Sequence, residues 1–156
     1  MTSVSFTLHP RLNADCIVAG DWPLSRLLLM NDSQYPWYIL VPRRHDIREI
    51  HELDAADQTQ LFRESMILSR ALAQAYRGDK LNIAALGNVV PQLHMHHIVR
   101  FTTDAAWPAP VWGKHPARPY SEGEALAQIE RLLPRLELPL MPLRTVSPAV
   151  APPVDQ

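Results

Sequence analysis

The chain has 156 residues, 47% of them hydrophobic, which suits one domain with a real core. Lys and Arg number 15 against 16 Asp and Glu, a formal net charge of −1, so no basic surplus points to a nucleic-acid partner held by phosphate neutralisation. A single cysteine, Cys16, excludes an internal disulfide framework, no apolar run approaches the roughly 20 residues of a membrane span, and the opening MTSVSFTLHP lacks the apolar stretch of a secretory signal. The expectation is therefore a soluble cytoplasmic protein with no membrane partner.

In chain order, CIVAG (16–20), SRLLLM (25–30) and WYILVP (37–42) are apolar runs too short for helices and separated by the turn-forming DWP and NDSQYP, so they read as strands of a hairpin or meander. From Asp54, an N-cap residue type, the period changes. Leu61, Leu68, Leu72 and Ala75 recur at helical spacing, with Phe62, Ile67 and Tyr76 beside them, and RGD (77–79) reads as the stop. KLNIAAL (80–86) and QLHMHHIVRF (92–101) then read as two strands joined by GNVVP. After an irregular stretch rich in proline and tryptophan, Ser121 followed by Glu124 predicts a capping box opening a second helix. That helix runs through Leu126, Ile129, Leu132 and Leu133 and breaks near Pro134 or Pro139. Strands interrupted by one long helix, without strict strand–helix alternation, predict an antiparallel α+β fold. The domain is placed at 1–138, and the proline-rich 139–156 reads as a flexible or loosely docked tail.

The motif strand carries three histidines in four positions. Side chains alternate along an extended chain, so Gln92, His94, His96 and Ile98 share one face while Leu93, Met95, His97 and Val99 take the other. His97 is thereby a structural residue. His94 and His96 stand about 7 Å apart along the strand, and polar groups set there among apolar neighbours require partners. Two chemistries fit. A metal would need a third ligand, with His45, His51 and Glu52 as candidates, and no spacing is diagnostic of one. Alternatively, an imidazole with a pKa near about 6.5 carries a lone pair at neutral pH and can attack phosphorus, provided its other nitrogen is held in one tautomer.

QLHMHHIVR resembles the signature of the histidine-triad superfamily, His-φ-His-φ-His-φ-φ with φ apolar, with Gln92 in the first slot, His94 in the second and His96 in the third. LLLMNDSQYPWYILVPRRH and the helix after it extend the resemblance over roughly 15–101. ALGNVVPQLHMHHIVR and WPAPVWG are similar to a bacterial subgroup labelled diadenosine-polyphosphate hydrolases. The resemblance implies an antiparallel sheet of about five strands with one long helix and a C-terminal helix, a homodimer, and hydrolysis or transfer at the α-phosphate of a nucleotide, with no cofactor and no metal. By position it makes His94 the nucleophile and His96 a contact to phosphate oxygens or the leaving group, with Gln92 orienting the strand or touching phosphate. It also makes Asn31 a ribose contact and Asn88 a phosphate contact, and Gly87 lets backbone N–H groups approach the same oxygens. Two positions depart from the pattern. Gln92 replaces the first histidine, and Trp37 stands five before Pro42, where many relatives hold a supporting histidine. Losing both together implies a replaced orienting network.

The expected function is hydrolysis of a dinucleoside polyphosphate or nucleoside phosphoramidate through a nucleotidyl-histidine. The alternatives are a nucleotide-binding protein without turnover, which the two departures favour, and a His-x-His metal protein. Arg100 remains a phosphate-pairing candidate, Arg43 and Arg44 read as solvated, and His45 as a packing residue. Trp107 and Trp112 cover a nucleotide pocket, line an interface or simply pack. Cys16 is a small apolar filler.

Overall fold

The computed structural model describes residues 5–143; the first four residues and most of the expected tail lie outside the described residues. Helix α1 (Pro10–Asp15) leads into strands β1 (Cys16–Asp21), β2 (Ser25–Met30) and β3 (Trp37–Pro42). The long helix α2 (Ala55–Tyr76), strands β4 (Lys80–Ala84) and β5 (Met95–Arg100) and helix α3 (Glu124–Leu132) follow. The five strands form one antiparallel sheet in the order β1-β2-β3-β5-β4. This is the expected α+β architecture.

One face of the sheet packs on α2 and α3. Leu27, Leu29, Tyr38 and Leu40 meet Leu61, Leu68 and Leu72, and each of these three helical leucines is at most 1% exposed. Burying a side chain of that size contributes about 1.5–3 kcal/mol, so this face is a large source of stability. Of the residues flanking the helical stripe, Ile67 and Tyr76 are buried while Phe62 faces solvent. The other face carries Leu28, Trp37, Ile39, Val41 and Ile98 under the N-terminal segment, through Leu8 and Leu12, and under Val90 and Val111 from later loops. Because both faces are covered, all six residues of β3 are buried, which is why WYILVP is continuously apolar and does not alternate.

The ends of α2 follow from local chemistry. Asp54 Oδ1 accepts from the Asp57 N–H at 2.8 Å, the expected N-cap. At the other end Arg77, not Gly78, takes the left-handed conformation (φ 51°, ψ 45°). Gly78 serves a different need: a Cβ there would run into the Val99 side chain and come within 2.9 Å of the Arg100 carbonyl, so its absence lets α2 close onto β5. Glu64, fully buried in α2, accepts the N–H groups of Leu24 (2.9 Å) and Ser25 (3.1 Å) and ties the β1–β2 turn to the helix.

One expectation shifts and two features add to the reading. Helix α1 was not foreseen, although Pro10 in its first turn and the His9 side chain accepting the Arg11 N–H are a start signal of recognised type. Helix α3 starts three residues after Ser121. Glu124 reaches back to the Ser121 N–H at 2.8 Å, as a capping box requires, but it is the Ser121 carbonyl that accepts the Glu124 N–H, and Gly123 at φ 85° makes the entry. The stretch expected to begin the tail is in part docked. Asp21 and Met141 exchange backbone bonds of 3.0 and 2.7 Å, and Trp22 Nε1 donates to the Leu138 carbonyl at 2.7 Å. Those contacts tie residues 138–141 to the end of β1, one edge strand of the sheet, while β4 is the edge strand at the opposite side.

Candidate functional site

The site grows from the start of β5. His94 lies just before β5 and keeps the alternation of the strand, and the Leu93 N–H donates to the Ile47 carbonyl at 2.9 Å, but the chain bends at Gln92, so the expected shared face does not extend to that side chain. His94 and His96 point to the face opposite α2, their rings 4.8 Å apart and edge to face, with exposures of 7% and 6%. His97 points the other way. Its Nε2 meets Ser65 Oγ of α2 at 2.7 Å and its Nδ1 the Met95 carbonyl at 3.2 Å, a satisfied structural histidine as the alternation predicts.

The two site imidazoles are held in opposite tautomers. His94 Nδ1 lies 2.7 Å from the Gln92 backbone carbonyl. A carbonyl only accepts, so Nδ1 carries the proton and Nε2 keeps a lone pair. His96 Nδ1 lies 3.0 Å from Trp37 Nε1. An indole only donates, so here Nδ1 holds the lone pair and Nε2 carries the proton. Trp37 reaches it diagonally, since Trp37 sits opposite Ile98 and Ile39 opposite His96 in the β3–β5 register. Trp112 stacks edge-on against both rings, with centroids 5.2 Å from His96 and 5.9 Å from Trp37.

Burial favours the neutral form of all three motif histidines. It lowers the His94 pKa, partly offset by the bond to the Gln92 carbonyl, with His9 pulling in the same direction as burial. It pushes His96 down to about 3, aided by the neighbouring His94 and His97, and His97 down to about 4 against its bond to Met95. Near neutrality the site therefore presents one free imidazole nitrogen and one N–H donor, both uncharged.

Both rings line a cavity of about 330 Å³, within the range of small-ligand pockets. Its walls are Leu12, Met30, Ile39, Val90 and Trp112, with Leu86, Gly87, Asn88 and Val89 on the loop side and Arg11 and Asp15 of α1 at the rim. Gly87 has φ 72°, a backbone setting that favours glycine, and only the Val90 carbonyl, 3.7 Å away, would meet a Cβ there. The structure brings His94, His96, Gly87 and Asn88 to this one cavity.

Three candidates lie elsewhere. The Gln92 side chain turns away from the cavity: its Oε1 accepts the His9 N–H at 2.8 Å and its Nε2 donates to the Thr7 carbonyl at 2.9 Å, so it fastens the N-terminal segment, and only its backbone carbonyl serves the site. It lines a separate hollow of about 420 Å³ together with His9, Arg44, His45 and Arg48, to which neither His94 nor His96 contributes. Asn31 is also withdrawn. Its Oδ1 accepts the Tyr120 N–H at 2.9 Å, which anchors the approach to α3, and the cavity is lined by Met30 beside it and by Asp15. Arg100, 2% exposed, is engaged by Asp104, Asn82 and the Ala109 carbonyl, and so is no phosphate ligand.

For a metal, the candidate ligand Glu52 spends its carboxylate on the N–H groups of Arg48 and Glu49. Among the described residues no group of three His, Cys, Asp or Glu side chains is arranged to hold an ion. The sequence left Trp112 undecided and missed Leu12 and Asp15. The signal for the latter two was the start of α1, which brings them to the cavity.

No curated protein matches the chain. Among solved structures, it is similar to a histidine triad protein from Marinobacter aquaeolei VT8, with 52% identity, 85% of this chain and 97% of that one covered and a TM-score of 0.83. A histidine triad protein from Bradyrhizobium japonicum shares 49% identity over 85% of this chain and 98% of that one, also with a TM-score of 0.83. A third, from Sinorhizobium meliloti 1021, shares 44% over 84% and 97%, again at 0.83. The family described as HIT domain matches residues 11–103, the stretch from α1 to just past the motif strand. The chain belongs to the HIT domain family.

Proposed function

We propose that the protein is a hydrolase that cleaves a nucleotide at its α-phosphate, with a dinucleoside polyphosphate or a nucleoside phosphoramidate as substrate class, through a covalent nucleotidyl-His94 intermediate. The observation that carries this reading is the pair of opposed tautomers, a free Nε2 on His94 and an Nε2–H on His96, side by side in one cavity. His94 Nε2 attacks phosphorus while its Nδ1–H stays bonded to the Gln92 carbonyl, which stabilises the charge that develops on the ring. His96 donates to an oxygen of the transferring phosphoryl group, and its fixed N–H needs no reorganisation as negative charge builds there. Water then displaces His94 and releases the nucleoside monophosphate. The mainly apolar walls suit a nucleoside, and the Gly87–Asn88 loop offers backbone and amide donors to the phosphate.

Partnership as a homodimer in the cytoplasm completes the proposal. What supports a dimer is that β4 is an edge strand, without a further strand beside it among the described residues and with Ile83 43% exposed, so a second copy could pair there.

Incubation with a radiolabelled dinucleoside polyphosphate and an alkaline quench should trap label on His94. His94→Ala should lose the label and reduce turnover by at least ~10³-fold, and full activity in that variant refutes the mechanism. Nucleotide binding without turnover is a second reading, favoured by the withdrawal of Gln92 from the cavity. It predicts AMP binding with no label and no product.

A further inference from the structure

Trp37 does more than wall the cavity. Its indole N–H points at His96 Nδ1, so a proton on that nitrogen would meet another proton head-on. The cationic form of His96 is therefore opposed by geometry. Its surroundings do not offset this. His94 and Trp112 stand beside the ring, His97 follows it on β5, and Ile39 is its partner on β3. The carboxylate lining the same cavity, Asp15 of α1, is paired with Arg11 at 3.0 Å.

We infer that Trp37 is a positioning residue that holds His96 as a neutral donor with no proton to release, and that the site consequently selects substrates whose leaving group departs as a phosphate-type anion and discriminates against phosphoramidates. This deepens the nucleotidyl-histidine reading and rests on it. With an anhydride, the bond from His94 Nε2 to phosphorus forms as the bridging P–O bond breaks. The electron pair leaves on a phosphate oxygen that is stable as an anion, and no proton has to move. Water then forms a new P–O bond, the P–N pair returns to Nε2, and the proton of the water passes to solvent. With a phosphoramidate the P–N bond of the substrate must break toward an amine, which needs a proton as it departs. A neutral His96 would have to become an imidazolate to supply one. General-acid assistance is worth roughly 10²–10⁴-fold, and its absence sets the size of the discrimination.

Two measurements on the full chain test this. The first compares kcat/KM for diadenosine tetraphosphate and adenosine 5′-phosphoramidate in the parent and in Trp37→Phe, which removes the indole donor. The parent should favour the anhydride by roughly 10²-fold or more, and Trp37→Phe, which frees His96 Nδ1 from the indole donor, should narrow the ratio; an unchanged ratio assigns the discrimination to burial of His96 and overturns the role of Trp37. Equal turnover of both substrates by the parent overturns the inference. The second reads the 15N shifts of labelled histidines in the free protein, where His96 should be the neutral Nε2–H tautomer and His94 the Nδ1–H tautomer at neutral pH. A cationic or Nδ1-protonated His96 overturns the role of Trp37 whether or not substrate is consumed, and whether or not the variant folds. Failure of both substrates to react or to label His94 refutes the hydrolase reading and the selectivity with it, while the tautomer measurement still decides the role of Trp37.

Discussion

Replacing Asp104 by Asn tests how the loop that carries Trp112 is fixed over the site. Arg100 and Asp104 form an ion pair whose side chains are 2% and 4% exposed, joined at 2.8 and 3.0 Å. Asp104 also accepts the backbone N–H groups of Phe101, Ala106 and Trp107 at 3.1, 3.1 and 2.8 Å. Asp104→Asn preserves shape and one oxygen but removes the countercharge and sets an amide N–H against a buried guanidinium, whose acceptors are then that one oxygen, Asn82 Oδ1 and the Ala109 carbonyl. Breaking a buried pair from one side costs about 3–5 kcal/mol, and the retained oxygen places this case at the low end, about 3. At about 1–3 kcal/mol per molar urea, the unfolding midpoint should fall by at least ~1 M. Glu137→Gln is the matched control. It breaks the Arg70–Glu137 pair, whose side chains are 53% and 56% exposed, and should leave the midpoint unchanged within error because solvent screens it. The pH dependence gives a second check. Burial alone would raise the Asp104 carboxyl, but its bonds to Arg100 and to the Phe101 and Ala106 N–H groups win and hold it below its ordinary value. Its contribution is thus complete above an unfolded pKa of about 3.9 and is lost as pH falls through the lower folded value, so the parent and Asp104→Asn should converge only in strong acid. Equal, small shifts for the two variants would refute the claim that burial makes this pair matter.

His97→Gln should flatten the pH dependence of stability. Burial holds the folded pKa near about 4, so the neutral ring contributes fully above an unfolded value of about 6.5. That stability erodes between the two values at about 1.4 kcal/mol per pH unit, and urea midpoints measured across the window should show the slope reduced in the variant. Gln92→Ala should leave covalent labelling of His94 intact, because the backbone carbonyl that sets the tautomer stays, while exchange of the His9 amide hydrogen accelerates as its acceptor is lost. Loss of labelling in that variant would return Gln92 to the chemistry.

What the sequence revealed divides along the line between local and distant causes. The strands at 16–21, 25–30 and 37–42 and the helix at 55–76 were legible because periodicity and caps are written within each segment. The same rule of alternation put His94 and His96 on one face and His97 on the other. The tautomer of His94 is nearly as local, since its acceptor is two residues back. The remaining site residues depend on partners far along the chain. Asn31 and Gln92 carry amides able to touch a phosphate or a ribose, and their types gave no hint that Tyr120, 89 positions on, and His9, 83 positions back, would claim them.

Trp37 marks the sharpest case of such a distant cause. Compared position by position with the histidine-triad pattern it is a loss, an imidazole exchanged for an indole that can neither accept nor relay a proton. Across the sheet, 59 residues from His96, that incapacity becomes the useful property, because a group that only donates fixes the partner ring in one tautomer. A histidine there could donate or accept according to its own protonation, and the state of His96 would follow it. An indole at this position therefore holds a single hydrogen-bonding pattern where a histidine could shuttle protons, and it is on this difference that the proposed preference for departing groups that need no proton rests.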